Sequence, residues 1–175
     1  MLEGHEGQRA YLYGQSPGVV EGEERRPWRG RAGQNLRRWL GLDEETFYAT
    51  FYCASVTRCY PGRSPAGPGD RVPTGREQEL CFFWLDWELR LLRPELIVTV
   101  GGLATRRLVS GQALGECIGA TFELEGATVI PLPHPSGVSR WLNAPENRLQ
   151  LEAALELIRT RLDGLAARGS AISAG

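Results

Sequence analysis

The sequence predicts an α/β domain with a mostly parallel sheet covered by helices on both faces. Two observations carry this prediction. Short apolar runs rich in β-branched and aromatic residues alternate along the chain with helical stretches. One run, LIVTV at Leu96–Val100, is apolar throughout, the mark of a strand buried on both faces. At 175 residues, with no internal repeat, the chain suits one domain that buries its own core.

Each element follows from its residues. Arg9–Tyr13 (RAYLY) ends at Gly14 and reads as the first strand. Gly14–Pro27 has no periodicity and reads as a loop. Ala32–Leu40 sets Leu36, Trp39 and Leu40 on one side and Arg37 and Arg38 on the other, a helix. Phe47–Val56, rich in aromatic and small residues, reads as a second strand. The Pro- and Gly-rich Pro61–Pro73 is a long loop, mobile or functional. Arg76–Leu92 is a long amphipathic helix with two tryptophans, and Leu96–Val100 is the third strand. Gly101 and Gly102 open a short helix, and Thr128–Leu132 is a fourth strand leading into Pro133-His134-Pro135. Asn147–Leu162 closes the fold. The domain is expected to span 1–165, with a frayed, flexible tail at 166–175.

Composition removes several functions. The net charge is -1, so any nucleic-acid face must come from local clustering. All 20 basic residues are arginine, which excludes a Walker-type phosphate lysine, a Schiff-base lysine and a lysine general base. The N-terminus has Glu3 and Glu6 and no apolar h-region, and no apolar run approaches the roughly 20 residues that span a bilayer. A cytoplasmic protein without membrane contact is expected. The cysteines, Cys53, Cys59, Cys81 and Cys117, show no C-x2-C spacing, which disfavours zinc and suits buried thiols. The histidines are His5 and His134.

Ligands of open α/β sheets gather beyond the carboxyl ends of the strands. Two loops at such ends carry candidate chemistry: Gly14-Gln15-Ser16-Pro17-Gly18, and His134-Pro135-Ser136-Gly137-Val138-Ser139. Either alone could be ordinary Gly-Pro turn punctuation; the pairing is what points to a site. The first also fits G-x-S-x-G, the nucleophile elbow, and Asp86 and His134 follow in the order Ser…Asp…His. In an elbow the residue after the serine donates its N–H to the oxyanion. Here that residue is Pro17, which has none, and losing one such donor costs roughly 3 kcal/mol of barrier lowering. A serine hydrolase on Ser16 and His134 is therefore the weaker reading.

GQSPG paired with HPSGVS resembles the two signature motifs of the uracil-DNA glycosylase superfamily. Two further runs resemble its thermostable bacterial branch, family 4: Pro27-Trp28-Arg29-Gly30-Arg31-Ala32-Gly33-Gln34 and Ser55-Val56-Thr57-Arg58-Cys59-Tyr60-Pro61. The four matches keep the family's order and cover most of Tyr11 to Arg140. The resemblance implies a three-layer α/β/α fold around a four-stranded parallel sheet. It implies a monomeric enzyme that flips uracil or another deaminated base out of DNA and hydrolyses its glycosidic bond, leaving an abasic site. A member that binds DNA or a free base without cleavage is the alternative.

Carried onto this chain, the resemblance makes His134 the group that hydrogen-bonds uracil O2 and stabilises the leaving anion. Gln15 and Ser16 would line the pocket beside the reacting carbon, between Gly14 and Gly18. Trp28 would stack on the flipped base, and Ser55 would read its edge. Ser136, Gly137, Val138 and Ser139 would press into the duplex, with Val138 as wedge. Arg29, Arg31 and Arg140 would contact DNA, from or near the densest basic stretch (Arg25, Arg26, Arg29, Arg31, Arg37, Arg38).

Three departures accompany it. Family 4 holds a [4Fe–4S] cluster on four cysteines; Cys59 and Cys81 match the later two, but the earlier pair has no counterpart, so no cofactor is expected. Ser16 stands where relatives carry Asp, Asn, Ala or Gly. Ser55 stands where most have an asparagine, so one hydroxyl replaces a bidentate amide.

Overall fold

The computed structural model describes residues 2–67, 69–136 and 140–173. Its sheet has five strands: β1 Ala10–Gly14, β2 Phe51–Ser55, β3 Leu96–Val100, β4 Phe122–Leu124 and β5 Ala127–Leu132. Their order is β2-β1-β3-β5-β4. The four expected strands are the parallel ones. The fifth, β4, is antiparallel to β5 and only three residues long. It folds back through Glu125-Gly126, both with positive φ (50° and 87°), the backbone a tight two-residue hairpin requires. A half-exposed strand of that length leaves little periodicity to read.

Alternation along the strands builds two cores. Ala10, Leu12, Phe51, Cys53, Leu96, Val98, Ile130 and Leu132 face one side, and Tyr11, Tyr13, Tyr52, Ala54, Ile97 and Val129 the other. On the first side lie α2 (Arg31–Leu40), α3 (Glu44–Thr50) and α7 (Pro145–Ser173), which contribute Leu36, Leu40, Phe47, Leu151, Ala154 and Ile158. On the second lie α4 (Gly75–Leu92), α5 (Gly102–Leu108) and α6 (Leu114–Cys117), which contribute Leu85, Leu92, Ala104 and Cys117. A short α1 (Val19–Glu24) occupies part of the expected Gly14–Pro27 loop.

Two boundaries differ from expectation. The run Phe47–Val56 is half helix: Asp43 caps α3 by accepting from the Thr46 N–H at 2.7 Å, and the strand begins only at Phe51. Phe47 packs 5.6 Å from Phe51 across that junction, so one aromatic cluster spans both elements and masks the change of period. Helix α7 runs past the expected end at Leu162 to Ser173, and Leu162 and Leu165 pack on the core.

From β1 the chain passes outward to β2, then crosses back to β3 on the other side of β1. This reversal opens a crevice at the carboxyl ends of the central strands.

A buried charge fixes the segment after β2. Glu88 of α4 is buried, and its carboxylate accepts from Tyr11 at 2.5 Å, from Tyr52 at 3.4 Å and from Arg58. Burial pushes the Tyr11 phenol well above its ordinary pKa, with the Glu88 charge adding to it, so it remains a donor. Arg58 and Glu88 thus tie the end of β2 to the helix across the second core. Removing one partner of a buried pair strands the other charge, at about 3–5 kcal/mol. Arg58→Ala should therefore lower unfolding free energy by roughly that amount in urea denaturation; a loss under about 1 kcal/mol would show that the pair carries no structural weight.

Candidate active site at the carboxyl ends of the strands

Two cavities lie at opposite ends of the strands. One, about 570 Å³, lies at the amino ends of the strands between Arg9, Arg93, Glu95 and Glu125. The other, about 590 Å³, lies at the carboxyl ends and gathers Gly14, Gln15, Ser16, Gly18, Trp28, Arg31, Ser55, His134 and Ser136. The second holds every candidate residue among the described ones except Arg29 and Arg140, and its lining is drawn from five separate stretches of chain.

Its floor is the β1–β2 pair. Gly14 lies opposite Ser55 in register, and the ladder continues past the strands: Val56 N–H donates to Gly14 O at 2.9 Å and Thr57 N–H to Gln15 O at 3.2 Å. The Ser55 hydroxyl donates to Thr57 O at 2.7 Å. Its proton is thereby committed, and it can offer a base edge only lone pairs.

Trp28 forms one wall. It sits in the left-handed region at φ 60°, uncommon for a bulky side chain, and several contacts hold it there. A Cβ on Gly14 would come within 2.8 Å of its ring, and a Cβ on Gly33 within 1.7 Å of its carbonyl oxygen. Only glycine fits at either place. The same carbonyl accepts from Arg37 Nη1 at 2.9 Å. Glu21 clasps the neighbouring loops, accepting from the Gly18 N–H at 3.0 Å and the Gly30 N–H at 2.8 Å. Glu21 was not among the sequence candidates, although Gly18 followed three residues later by Glu is capping-box spacing.

His134 follows β5 and rests over Gly101, whose φ of 85° and missing Cβ leave room for the ring. The side chain meets solvent at the cleft, yet the crowding around its ring lowers its pKa from 6.5 by desolvation. Ser136 N–H donates to its Nδ1 at 3.2 Å. With Nδ1 accepting, a neutral ring carries its proton on Nε2. Asn35 of α2 donates to Pro135 O at 2.9 Å and so braces this loop.

A second residue absent from the sequence candidates is Asp70. The Pro61–Pro73 loop returns to the cleft, where Gly69 and Asp70 join the wall. Asp70 Oδ1 accepts from Tyr60 at 2.9 Å, and its Oδ2 lies 3.2 Å from where a Gly18 Cβ would be. A long loop at a strand's carboxyl end was the only signal for it.

The basic stretch is mostly self-neutralised. Arg29 is tied to Glu24 at 2.6 Å and to Glu44, and Arg26 and Arg37 also pair with Glu44, with Arg26 bound to Glu3 at 2.8 Å as well. Arg31, and not Arg29, is exposed at the cleft rim. Arg140 opens a short 3-10 turn, Arg140–Asn143. The expected wedge residues Gly137, Val138 and Ser139 lie outside the described residues.

Among the described residues the geometry does not support a serine hydrolase. Among the described residues no hydrogen bond joins Ser16 to His134, and Asp86 is exposed on α4, paired with Arg90 at 3.0 Å. The cysteines do not suit a four-thiolate cluster. Cys53 is buried in the first core and Cys117 in the second, on opposite faces of the sheet; Cys59 is exposed and Cys81 half-buried. Among the described residues no three His, Cys, Asp or Glu gather as a metal site, and no helix is long and apolar enough to cross a membrane.

Comparison with known proteins agrees with this geometry. The family model described as uracil DNA glycosylase superfamily matches residues 3–159. A type-4 uracil-DNA glycosylase of Thermotoga maritima is 31% identical over 156 residues, 86% of this chain and 76% of the relative. One from Sulfurisphaera tokodaii is 28% identical over 172 residues (90% and 71%), and one from Archaeoglobus fulgidus 29% over 167 (89% and 77%). With the family model matching residues 3–159, this chain belongs to the uracil-DNA glycosylase superfamily.

Proposed function

We propose that this chain excises uracil from DNA as a monofunctional glycosylase, leaving an abasic site. The observation that carries the reading is His134, a neutral imidazole with its Nε2 proton free to donate, set in a cleft whose wall is a tryptophan. Breaking the bond from C1′ to N1 leaves its electron pair on the base, largely on the carbonyl oxygens. A fixed N–H donor aimed at the developing oxyanion lowers that barrier. A water then adds at C1′ and gives up a proton. Ser16 cannot take that proton at neutral pH, and the oxygens of Glu21 already hold backbone N–H groups. Asp70 is the carboxylate available on that side, with Gln15 and Ser16 placed to orient the water.

The flipped base would stack on Trp28, the exposed Arg31 would meet phosphate, and Ser136 would lie along the strand. No lysine is present to form an imine, so hydrolysis without strand cleavage is the chemistry this chain supports. The reading needs no cofactor, since the cysteines that match family 4 positions number two.

His134→Ala should cut single-turnover uracil release by about 10²–10⁴, and an unchanged rate would remove His134 from the mechanism. The pH profile adds a check. Because desolvation lowers the His134 pKa, the ring is neutral at pH 7 and charges only below its ordinary 6.5. Protonation at Nδ1 would set two donors face to face and break the Ser136 contact. The rate should be level near neutrality and fall on the acid side with an inflection below 6.5; an inflection above it would contradict the assignment.

Ser55 sets the choice of base. With its proton held by Thr57, it can accept from the N3–H of uracil but cannot donate to O4. Ser55→Asn restores the donor and should raise uracil excision relative to hypoxanthine roughly tenfold or more. An unchanged ratio in a folded variant would show that Ser55 does not read the base.

A further inference from the structure

The Pro- and Gly-rich segment after β2 folds back on itself as a hairpin beside the cleft, and the reaction described above uses only its Asp70. Two extended pieces build it, Gly62–Ser64 and Gly69–Arg71. Ser64 N–H donates to Gly69 O at 2.9 Å, and Arg71 N–H donates to Gly62 O at 2.9 Å. These bonds bracket an antiparallel bridge between Arg63 and Asp70. Bracketed in this way, the two residues are a non-hydrogen-bonded pair, the kind whose side chains stand closest together on one face.

The hairpin's two arginines differ in what they touch. Arg71 Nη1 and Nη2 donate to the two carboxylate oxygens of Glu77 at 2.7 and 2.6 Å. Glu77 also accepts from the Thr74 N–H at 2.7 Å, in the capping box that opens α4. Arg71 is thereby spent on fixing the hairpin to the helix. Arg63 is exposed, and no ion pair among the described residues uses it. The face it shares with Asp70 is turned to the cleft, because Asp70 lines the cleft and abuts Gly18. Glu21 carries the same edge from Gly18 to Gly30, and Arg31 follows. Arg63 and Arg31 therefore flank one continuous edge of the cleft.

We propose that Arg63 binds a backbone phosphate of the DNA strand entering the cleft, so that Arg63 and Arg31 hold that strand at two points. This rests on the reading of the chain as a DNA glycosylase. A guanidinium presents paired N–H donors that match a phosphate and keeps its charge throughout the working pH range. Gly62 and Gly69, at φ 104° and 113°, flank Arg63 and Asp70 with backbone that suits glycine, and they offer no side chain to block a strand lying against the hairpin. Pro65 and Ala66 beyond them are exposed and uncharged. Asp70 is the opposing charge on this face. Tyr60 donates to its Oδ1 at 2.9 Å and holds the carboxylate beside Gly18, and the longer Arg63 side chain can reach past it.

Fluorescence anisotropy of the full chain on a labelled duplex with an uncleavable abasic-site analogue, at about 50 to 200 mM salt, tests this without catalysis. Each neutralised phosphate adds about 0.9 to the slope of log affinity against log salt. Arg63→Gln should flatten the slope by about 0.9 and weaken binding several-fold, equally on undamaged duplex, since a phosphate contact reads no base. Arg63→Lys keeps the charge and should keep the slope. Arg161→Gln removes the same charge from the exposed side of α7, whose last turns reach Glu95 at the amino ends of the strands, and should change neither slope nor affinity. A slope unchanged by Arg63→Gln, with uracil release by wild type, overturns the proposal alone. Equal flattening by Arg161→Gln would trace the effect to net charge and overturns it too. A wild type that neither binds the duplex nor releases uracil overturns the glycosylase reading, and the Arg63 contact with it.

Discussion

The site depends on one contact, the indole of Trp28 pressed onto Gly14. The pressure comes from both sides. A side chain at Gly14 would enter the ring, and one at Gly33 would enter the Trp28 carbonyl. The backbone in between is held at φ 60° by Arg37 on that carbonyl. A left-handed, non-glycine residue costs about 1–3 kcal/mol unless its surroundings over-determine it. Here they do, and the result is an aromatic wall at a fixed distance from the end of β1. The β1–β2 register brings Gln15, Ser16 and Ser55 together, and that wall closes one side of their cleft.

Electrostatics explain how a chain of net charge -1 can still handle DNA. Glu44 sits among Arg26, Arg29 and Arg37 and absorbs much of the charge of the basic stretch. These exposed or half-exposed pairs add little stability singly. Their effect is geometric: they hold the segment carrying Trp28, while Arg31 lies exposed at the rim. A sparse positive edge suits an enzyme that must release its product strand, since each phosphate contact adds to affinity and to its salt dependence.

Much of this was legible in the sequence, for identifiable reasons. The buried parallel strands read directly, because LIVTV and its neighbours are apolar on both faces. GQSPG and HPSGVS located the cleft, because glycine and proline are needed where strand ends meet a ligand. The rest depended on tertiary context. α3 hid inside an aromatic run because Phe47 and Phe51 serve the same cluster from a helix and a strand. β4 is too short to show a period. Arg29 reads as a phosphate contact in the sequence, and its pairs with Glu24 and Glu44, five and fifteen residues away, are set by the fold. Asp70 reached the cleft through a loop whose path no local pattern dictates. Ser55 lines the cleft, and the loss of its donor to Thr57 is visible only in three dimensions.

The central claim is that the Trp28 seat on Gly14 creates the base-binding wall. Single-turnover release of uracil from an oligonucleotide, measured for wild type and Gly14→Ala, tests it most directly. The added methyl would come 2.8 Å from the indole and push it off its seat. A displacement of about 1 Å at a reacting centre costs up to 10²-fold in rate. The account predicts uracil release by wild type and a fall of at least about tenfold in a folded Gly14→Ala protein. Equal rates for the two, or no release by wild type, would contradict it.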